Sequence, residues 1–135
     1  MIPYGRQDIS QQDIDAVIDV LKSDFLTQGP QVPLFETSIK KAVNAEYALA
    51  LNSATSALHI ACLALGVGVG DVVWTTPITF VASANCALYC GADIDFVDIN
   101  SETYNLCADK LEQKLFHAKA NDLLLPKVVI PVHLC

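Results

Sequence analysis

The stretch "YALALNSATSALHIACLALGVGVGDVVWTT", residues 47–76, decides the fold class, because its hydrophobic pattern changes period twice. Tyr47 to Leu51 reads as a short apolar strand. Ala54 to Leu65 reads as a helix, closed by Gly66, whose missing Cβ suits the left-handed turn that ends helices. "VVWTT", starting at Val72, is β-branched and aromatic and reads as a strand again. Downstream the alternation continues: a helix from Val81 to Cys90 ending at Gly91, a strand in "IDFVDI" from Ile94, a helix from Asp109 to Phe116, and a strand in "KVVIPVHL". Strands that alternate with helices predict an α/β fold with a largely parallel sheet and flanking helices.

Upstream of that stretch the chain reads as helical. Ser10 followed by Asp13 offers a capped helix start, and Ile14, Val17, Ile18 and Leu21 recur at helical spacing. Gly29, Pro30 and Pro33 in "FLTQGPQVP" break the pattern. "LFETSIKKAV" resumes it, with Phe35, Ile39 and Val43 expected to face inward.

Composition narrows the function classes. The chain has 135 residues, 53% of them hydrophobic and 17% charged, more apolar than one domain of this size needs for its own surface. The surplus implies faces meant for a partner or for further chain. Eight Lys and Arg against fifteen Asp and Glu give a net charge of −7, which argues against a nucleic-acid or anionic-membrane surface. No 18-residue apolar run suggests a membrane span, and the Met1 end does not read as a signal peptide. The five cysteines, Cys62, Cys86, Cys90, Cys107 and Cys135, are odd in number and lack a CxxC pair. They predict neither a disulfide framework nor a metal site, and fit small packed residues of a reduced, cytoplasmic protein.

In parallel α/β sheets, ligands sit beyond the carboxyl ends of the strands, where loops enter helix N-termini. "NSATS", residues 52–56, occupies such a junction. A helix's first turn leaves N–H groups unpaired and carries the positive end of the dipole, and small residues there leave room for a phosphate. The Ser53, Thr55 and Ser56 hydroxyls could add donors, although Asn, Ser and Thr also cap helices with no ligand present. The multiple glycines of a Walker or dinucleotide loop are missing. At the end of the next strand, in "TTPITFVASAN", stands Phe80. An aromatic ring there can belong to the core or stack on a planar ligand. A phosphate nest on one loop and a flat ring on its neighbour would together suit a planar phosphorylated cofactor such as pyridoxal phosphate.

The blocks "FLTQGPQVPLFE", "NSATSALHIACLALGVGVGDVV", "TTPITFVASANCALYCGADIDFVDI", "TYNL" and "PVHL", in this order and over nearly the whole chain, resemble the N-terminal part of the DegT/DnrJ/EryC1/StrS sugar aminotransferases. These enzymes have the type I aminotransferase fold and use pyridoxal 5'-phosphate. The combination of "LTQG", "NSATSAL" and "TTPITFVASAN" most resembles the pseudaminic acid branch. Its transaminases aminate the C4 ketone of a UDP-linked 4-keto-6-deoxy-N-acetylhexosamine, with glutamate as donor. The resemblance implies that the backbone N–H groups of Ala54 and Thr55, with the Thr55 hydroxyl, hold the cofactor phosphate, and that Phe80 stacks on the pyridine ring. Thr27 and Gln28 of "LTQG" become candidates for contact with the sugar nucleotide. His133 matches the family's "PVH" block, whereas His59 reads as packed and His117 as exposed. Asp95 and Asp98 read as strand-end solvation.

Family members are considerably longer, and their Schiff-base lysine and the aspartate that pairs with the pyridine nitrogen fall downstream of "PVHL". None of Lys22, Lys40, Lys41, Lys110, Lys114, Lys119 or Lys127 matches the family's lysine motif. They read as solvated charges, and only Lys127, just before an apolar strand, stands as a candidate for more. The resemblance therefore implies an N-terminal portion of the cofactor-binding large domain over residues 1–135, inactive by itself, within an enzyme that dimerises. Two other readings stay open. One is a sugar dehydratase of the same fold, with histidine in place of the Schiff-base lysine. The other is a non-enzymatic phosphate-binding module.

Overall fold

The computed structural model describes residues 5–134, in two compact units that divide between Ala50 and Leu51. In the first unit, α1 (Gln11–Lys22) starts at a reciprocal capping box. Ser10 Oγ accepts the Asp13 N–H at 3.3 Å, and the Asp13 carboxylate accepts the Ser10 N–H at 2.8 Å. The second helix, α2 (Gln31–Val43), starts three residues before the expected Leu34 and takes Pro33 into its first turn. Proline is tolerated there because the first N–H groups of a helix have no intrahelical acceptor; the Leu34 N–H makes the bond to the Pro30 carbonyl at 3.1 Å. Neither helix carries a buried residue. Phe35, Ile39 and Val43, expected inside, are 58%, 40% and 65% exposed, because among the described residues the unit holds only these two helices.

Residues 47–51 form no strand. The alternation that suggested one survives as alternating burial: Tyr47 and Leu49 are exposed and Ala48 and Ala50 half-buried. Among the described residues, however, no neighbouring strand pairs with this segment. The Ala50 N–H donates to Glu36 Oε1 on α2, at 2.9 Å.

The second unit is a layered α/β structure. Its elements run α3 (Ala54–Ala64), β1 (Val72–Thr75), α4 (Ala82–Tyr89), β2 (Asp93–Phe96), α5 (Ala108–Ala120) and β3 (Val128–Ile130). The three strands pair in parallel in the order β2-β1-β3, with Val73 opposite Ile94 and Val128, and Thr75 opposite Phe96 and Ile130. β1 is central and buried along its whole length. Because successive side chains alternate across a strand, Val73 enters a core with Cys62, Val67, Cys86 and Ala87 on the α3 and α4 side. Val72 and Trp74 enter the other, with Val97, Ala118, Leu111 and Leu115 on the α5 side. Gly66 and Gly91 follow α3 and α4 at φ +70° and +77°, the left-handed conformation that favours glycine. A Cβ on Gly91 would also meet Val69 Cγ2 at 3.0 Å.

Ion pairs brace this unit. Lys127 Nζ donates to the Gly66 carbonyl at 2.6 Å and to Asp71 Oδ2 at 2.8 Å, and the Gly68 N–H donates to the same carboxylate oxygen at 2.9 Å. Lys114 pairs with Asp95 at 2.6 Å, donates to the Phe96 carbonyl, and lies 4.6 Å from the centroid of the Trp74 ring. Lys110 pairs with Asp98 at 2.6 Å. Lys110 and Lys114, read from the sequence as solvated, and Lys127, the candidate for more, thus each gain an acidic partner, Asp98, Asp95 and Asp71, while staying 48%, 27% and 38% exposed. The helix expected to end at Phe116 runs on to Ala120, so His117 lies in its last turn, exposed as anticipated.

Candidate functional site

The first turn of α3 sets out the donors predicted from "NSATS". Ser53 is the N-cap, extended at φ −161°, and its hydroxyl oxygen accepts the Ser56 N–H at 3.2 Å. The Ser53 hydroxyl in turn donates to Ser56 Oγ at 3.1 Å, which commits the Ser53 proton and leaves the Ser56 hydroxyl proton without an acceptor among the described residues. The first backbone bond of the helix runs from the Ala57 N–H to the Ser53 carbonyl, at 3.1 Å. The Ala54 and Thr55 N–H groups precede it, at positions where a helix supplies no acceptor. The Thr55 hydroxyl makes no hydrogen bond with the described residues. Among the described residues four donors therefore stay open at the positive end of the α3 dipole: the Ala54 and Thr55 N–H groups and the Thr55 and Ser56 hydroxyls.

Phe80 stands between β1 and α4 and is 74% exposed, so its reading as a core residue fails. Its backbone is pinned. The Phe80 carbonyl accepts the Ser83 N–H at 3.0 Å, and the Thr79 and Ser83 hydroxyls hydrogen-bond each other at 2.8 Å. Thr75 and Thr76, at the carboxyl end of β1, are fully buried, and Thr76 Oγ1 donates to the Ile78 carbonyl at 3.2 Å. A buried, hydrogen-bonded base thus carries an exposed aromatic ring.

Topology brings both features to one end of the sheet. Gly66, just past α3, is bonded through Lys127 to the amino end of β1, where the Lys127 N–H donates to the Val72 carbonyl at 2.9 Å. From there α3, 11 residues and about 16 Å long, runs back along the sheet beside α4. The two helices share a core at Cys62 and Cys86, and His59 meets Tyr89 edge-on at 5.4 Å between ring centroids. Both helix N-termini therefore lie toward the carboxyl ends of the strands, the end at which parallel sheets bind ligands. His59 is half-buried in this contact, as packing predicted.

The remaining candidates divide. His133 does not end a strand: β3 stops at Ile130, and His133 is exposed in the loop beyond it, still on the carboxyl side. Lys127 lies at the opposite, amino end and is committed to Gly66 and Asp71. In the first unit, Thr27 and Gln28 are exposed in the α1–α2 connection. Gln28 has φ +52°, uncommon for a residue with a Cβ, and a Cβ on Gly29 would meet Phe25 Cβ at 3.1 Å. Among the cysteines, Cys62, Cys86, Cys90 and Cys107 are free thiols, and burial, with Cys86 beside it, pushes the Cys62 thiol up to about 11. Cys135 lies outside the described residues. Sequence reading gave Asn105 no role beyond its place in the "TYNL" block; its side chain bonds the loop that carries His133, a contact between distant residues that no local signal marks.

The site sits within a chain that has known relatives. It is 46% identical over 115 residues to a UDP-4-amino-4,6-dideoxy-N-acetyl-beta-L-altrosamine transaminase of Campylobacter jejuni, covering 85% of this chain and 30% of that protein. The chain thus spans about a third of the length of the curated relatives it matches. Among solved structures, a DegT DnrJ EryC1 StrS aminotransferase from Brucella abortus superposes with a TM-score of 0.82 at 30% identity, over 90% of this chain and 32% of that one. NtdA from Bacillus subtilis, with bound cofactor PMP, superposes with a TM-score of 0.74 at 31% identity, over 90% of this chain and 26% of that one. The profile of the DegT/DnrJ/EryC1/StrS aminotransferase family matches residues 7–135, and the chain belongs to that family.

Proposed function

We propose that this chain holds the phosphate and the ring of pyridoxal 5'-phosphate in a transaminase that acts on a nucleotide-linked keto sugar. The observation that carries the reading is the division of labour at the start of α3. Ser53 is committed to Ser56, accepting its N–H and donating to its Oγ, which leaves the Ala54 and Thr55 N–H groups and the Thr55 and Ser56 hydroxyls open at a helix N-terminus. The exposed Phe80 ring on the neighbouring loop suits the flat face of the same cofactor. These residues fit the group chemically: donors for a dianion and an apolar plane for a heteroaromatic ring.

When bound, the cofactor supplies an electron sink for the carbon that loses its proton during amino transfer. The chain's own contribution is binding and orientation. Ala54 and Thr55 fix the phosphate, Phe80 sets the plane of the ring, and Thr27 and Gln28 meet the sugar nucleotide. The acceptor is a UDP-linked 4-keto-6-deoxy-N-acetylhexosamine of pseudaminic acid biosynthesis, the donor is glutamate, and the working enzyme is a cytoplasmic homodimer. The 46% identity to the Campylobacter jejuni transaminase supports this substrate class. In such an enzyme the chain is the N-terminal portion of the large domain, and by itself it carries no transaminase activity.

Equilibrium dialysis of the chain against pyridoxamine 5'-phosphate tests the binding half of the proposal, because that amine cannot form an imine with a surface lysine. Uptake is expected for pyridoxamine 5'-phosphate and not for pyridoxamine. Equal retention of both would remove the phosphate cup.

A further inference from the structure

Residues 131–134 lead the chain away from β3, and this short span is held at both ends. At its start the Thr75 hydroxyl donates to the Ile130 carbonyl at 2.9 Å. At its end the Leu134 N–H donates to Asn105 Oδ1, also at 2.9 Å. Between the two anchors lies His133, in a stretch without regular secondary structure.

Asn105 reaches this loop from across the sheet. It belongs to the hairpin that follows β2, and β2 lies on the opposite side of β1 from β3. The Asn105–Leu134 hydrogen bond therefore ties together loops from the two flanking strands, at the carboxyl end of the central one. That end is where Phe80 and the first turn of α3 also lie.

The hairpin is a rigid base for such a tie. Ile99 and Leu106 form an antiparallel bridge, and the Cys107 N–H donates to the Asp98 carbonyl at 3.1 Å. Asn100 Oδ1 accepts the Glu102 and Thr103 N–H groups at 2.8 and 3.1 Å. Tyr104 adopts φ +58°, a left-handed conformation that costs a residue with a Cβ and persists only where its surroundings impose it. Here they do: the Tyr104 N–H donates to the Asn100 carbonyl at 2.8 Å, and the Asn100 N–H donates to the Asn105 carbonyl at 2.9 Å. Leu106 is packed into the α5-side core, and Lys110 of α5 holds Asp98 at 2.6 Å. The backbone of Asn105 is thus set from several sides, while its side chain is spent on the loop after β3.

We infer that Asn105 is a positioning residue: its side-chain amide fixes the loop after β3 and so places His133 at the carboxyl end of the sheet. The consequence for cofactor binding rests on the function proposed above; the tether itself does not. Nothing in the immediate sequence around Asn105 requires this contact, which joins residues 29 positions apart.

Amide exchange and histidine NMR signals of the whole chain test the inference, with Asn105→Ala and Asn105→Asp as variants. Aspartate keeps an oxygen acceptor in place; alanine does not. In Asn105→Ala the Leu134 amide is expected to exchange about threefold to tenfold faster, the range that one lost hydrogen bond supports, and the His133 ring signals are expected to move. Asn105→Asp is expected to leave both near wild type. Unchanged Leu134 exchange in Asn105→Ala overturns the tether. So does a loss of protection shared equally by Trp74 and Val129, which would mark general loosening of the sheet. The same samples are then titrated with pyridoxamine 5'-phosphate. Weaker binding in Asn105→Ala, restored in Asn105→Asp, supports the link to the site. Equal binding by wild type and Asn105→Ala, with Leu134 loosened, overturns that link. If the wild type takes up no pyridoxamine 5'-phosphate, the cofactor reading fails, and the Leu134 and His133 signals still decide the tether.

Discussion

Phe80 and Thr55 carry the cofactor reading at the level of single side chains, and each can be removed without touching the core. Phe80 is 74% exposed, so Phe80→Ala is expected to leave thermal stability nearly unchanged. It should weaken pyridoxamine 5'-phosphate binding by roughly twofold to tenfold, the range for one stacked aromatic contact. Unchanged affinity would take Phe80 out of the site. Thr55→Val keeps the shape and deletes the hydroxyl. Because that donor would face a charged phosphate, its loss should weaken binding by about tenfold or more, while pyridoxamine, which has no phosphate, should respond equally poorly to both proteins. Ser53 belongs to the helix instead. Its oxygen is committed to the Ser56 N–H, so Ser53→Ala is expected to cost about 1 kcal/mol of stability in chemical denaturation. A change in ligand affinity with no change in stability would contradict that assignment.

Among the elements, β1 does most to organise the second unit, since both cores converge on it. Trp74 is 2% exposed and is the chain's one tryptophan, so its fluorescence reports on this strand directly. Trp74→Ala is expected to destabilise the unit by about 3–5 kcal/mol, through lost burial and an unfilled cavity, and to release Lys114 from the ring. A loss below about 1 kcal/mol would mean that the strand is not packed as described. The connections at the strand ends respond to pH. The Lys127 ammonium beside Asp71 holds its carboxyl below the ordinary value of 3.8, and Lys110 does the same for Asp98. A carboxylate whose folded pKa is depressed contributes stability that is fully present above its unfolded pKa and is lost as pH falls through the folded value. Stability followed through Trp74 fluorescence should therefore fall steadily below about pH 4. Asp71→Asn should flatten that dependence and leave stability near neutrality lower. Asp98 is largely solvated and Asp71 remains partly exposed, so the effect is modest.

At the scale of the whole molecule the dominant feature is apolar surface. Val17, Leu21, Phe35, Tyr47, Leu49, Phe116 and Leu124 are all more than half exposed, spread over both units. Exposed apolar side chains in this number favour association between copies of the chain. The chain is therefore expected to self-associate. Size-exclusion chromatography with light scattering should give a mass that rises with protein concentration, and a single monomeric mass at every concentration would refute this. No helix among the described residues is long and apolar enough to cross a membrane.

Much of this protein was legible in its sequence, because much of it is decided locally. Ser10 and Ser53 mark helix starts since their hydroxyls serve donors only three residues away, and Gly66 and Gly91 mark helix ends since the left-handed turn needs no tertiary partner. The alternation of strand and helix predicted the parallel sheet for the same reason. The open donors of Ala54 and Thr55 also follow from helix geometry alone. What the sequence left undecided depends on distant partners. The apolar, alternating run 47–51 looks like a strand, but a strand exists only through its neighbours, and none among the described residues pairs with it. Lys110, Lys114 and Lys127 have no partner that the sequence reveals; only the fold sets Asp98, Asp95 and Asp71 beside them. The order β2-β1-β3 and the reach of Asn105 across β1 to Leu134 belong to the tertiary structure alone, because they join residues that only the closed sheet brings within hydrogen-bonding distance.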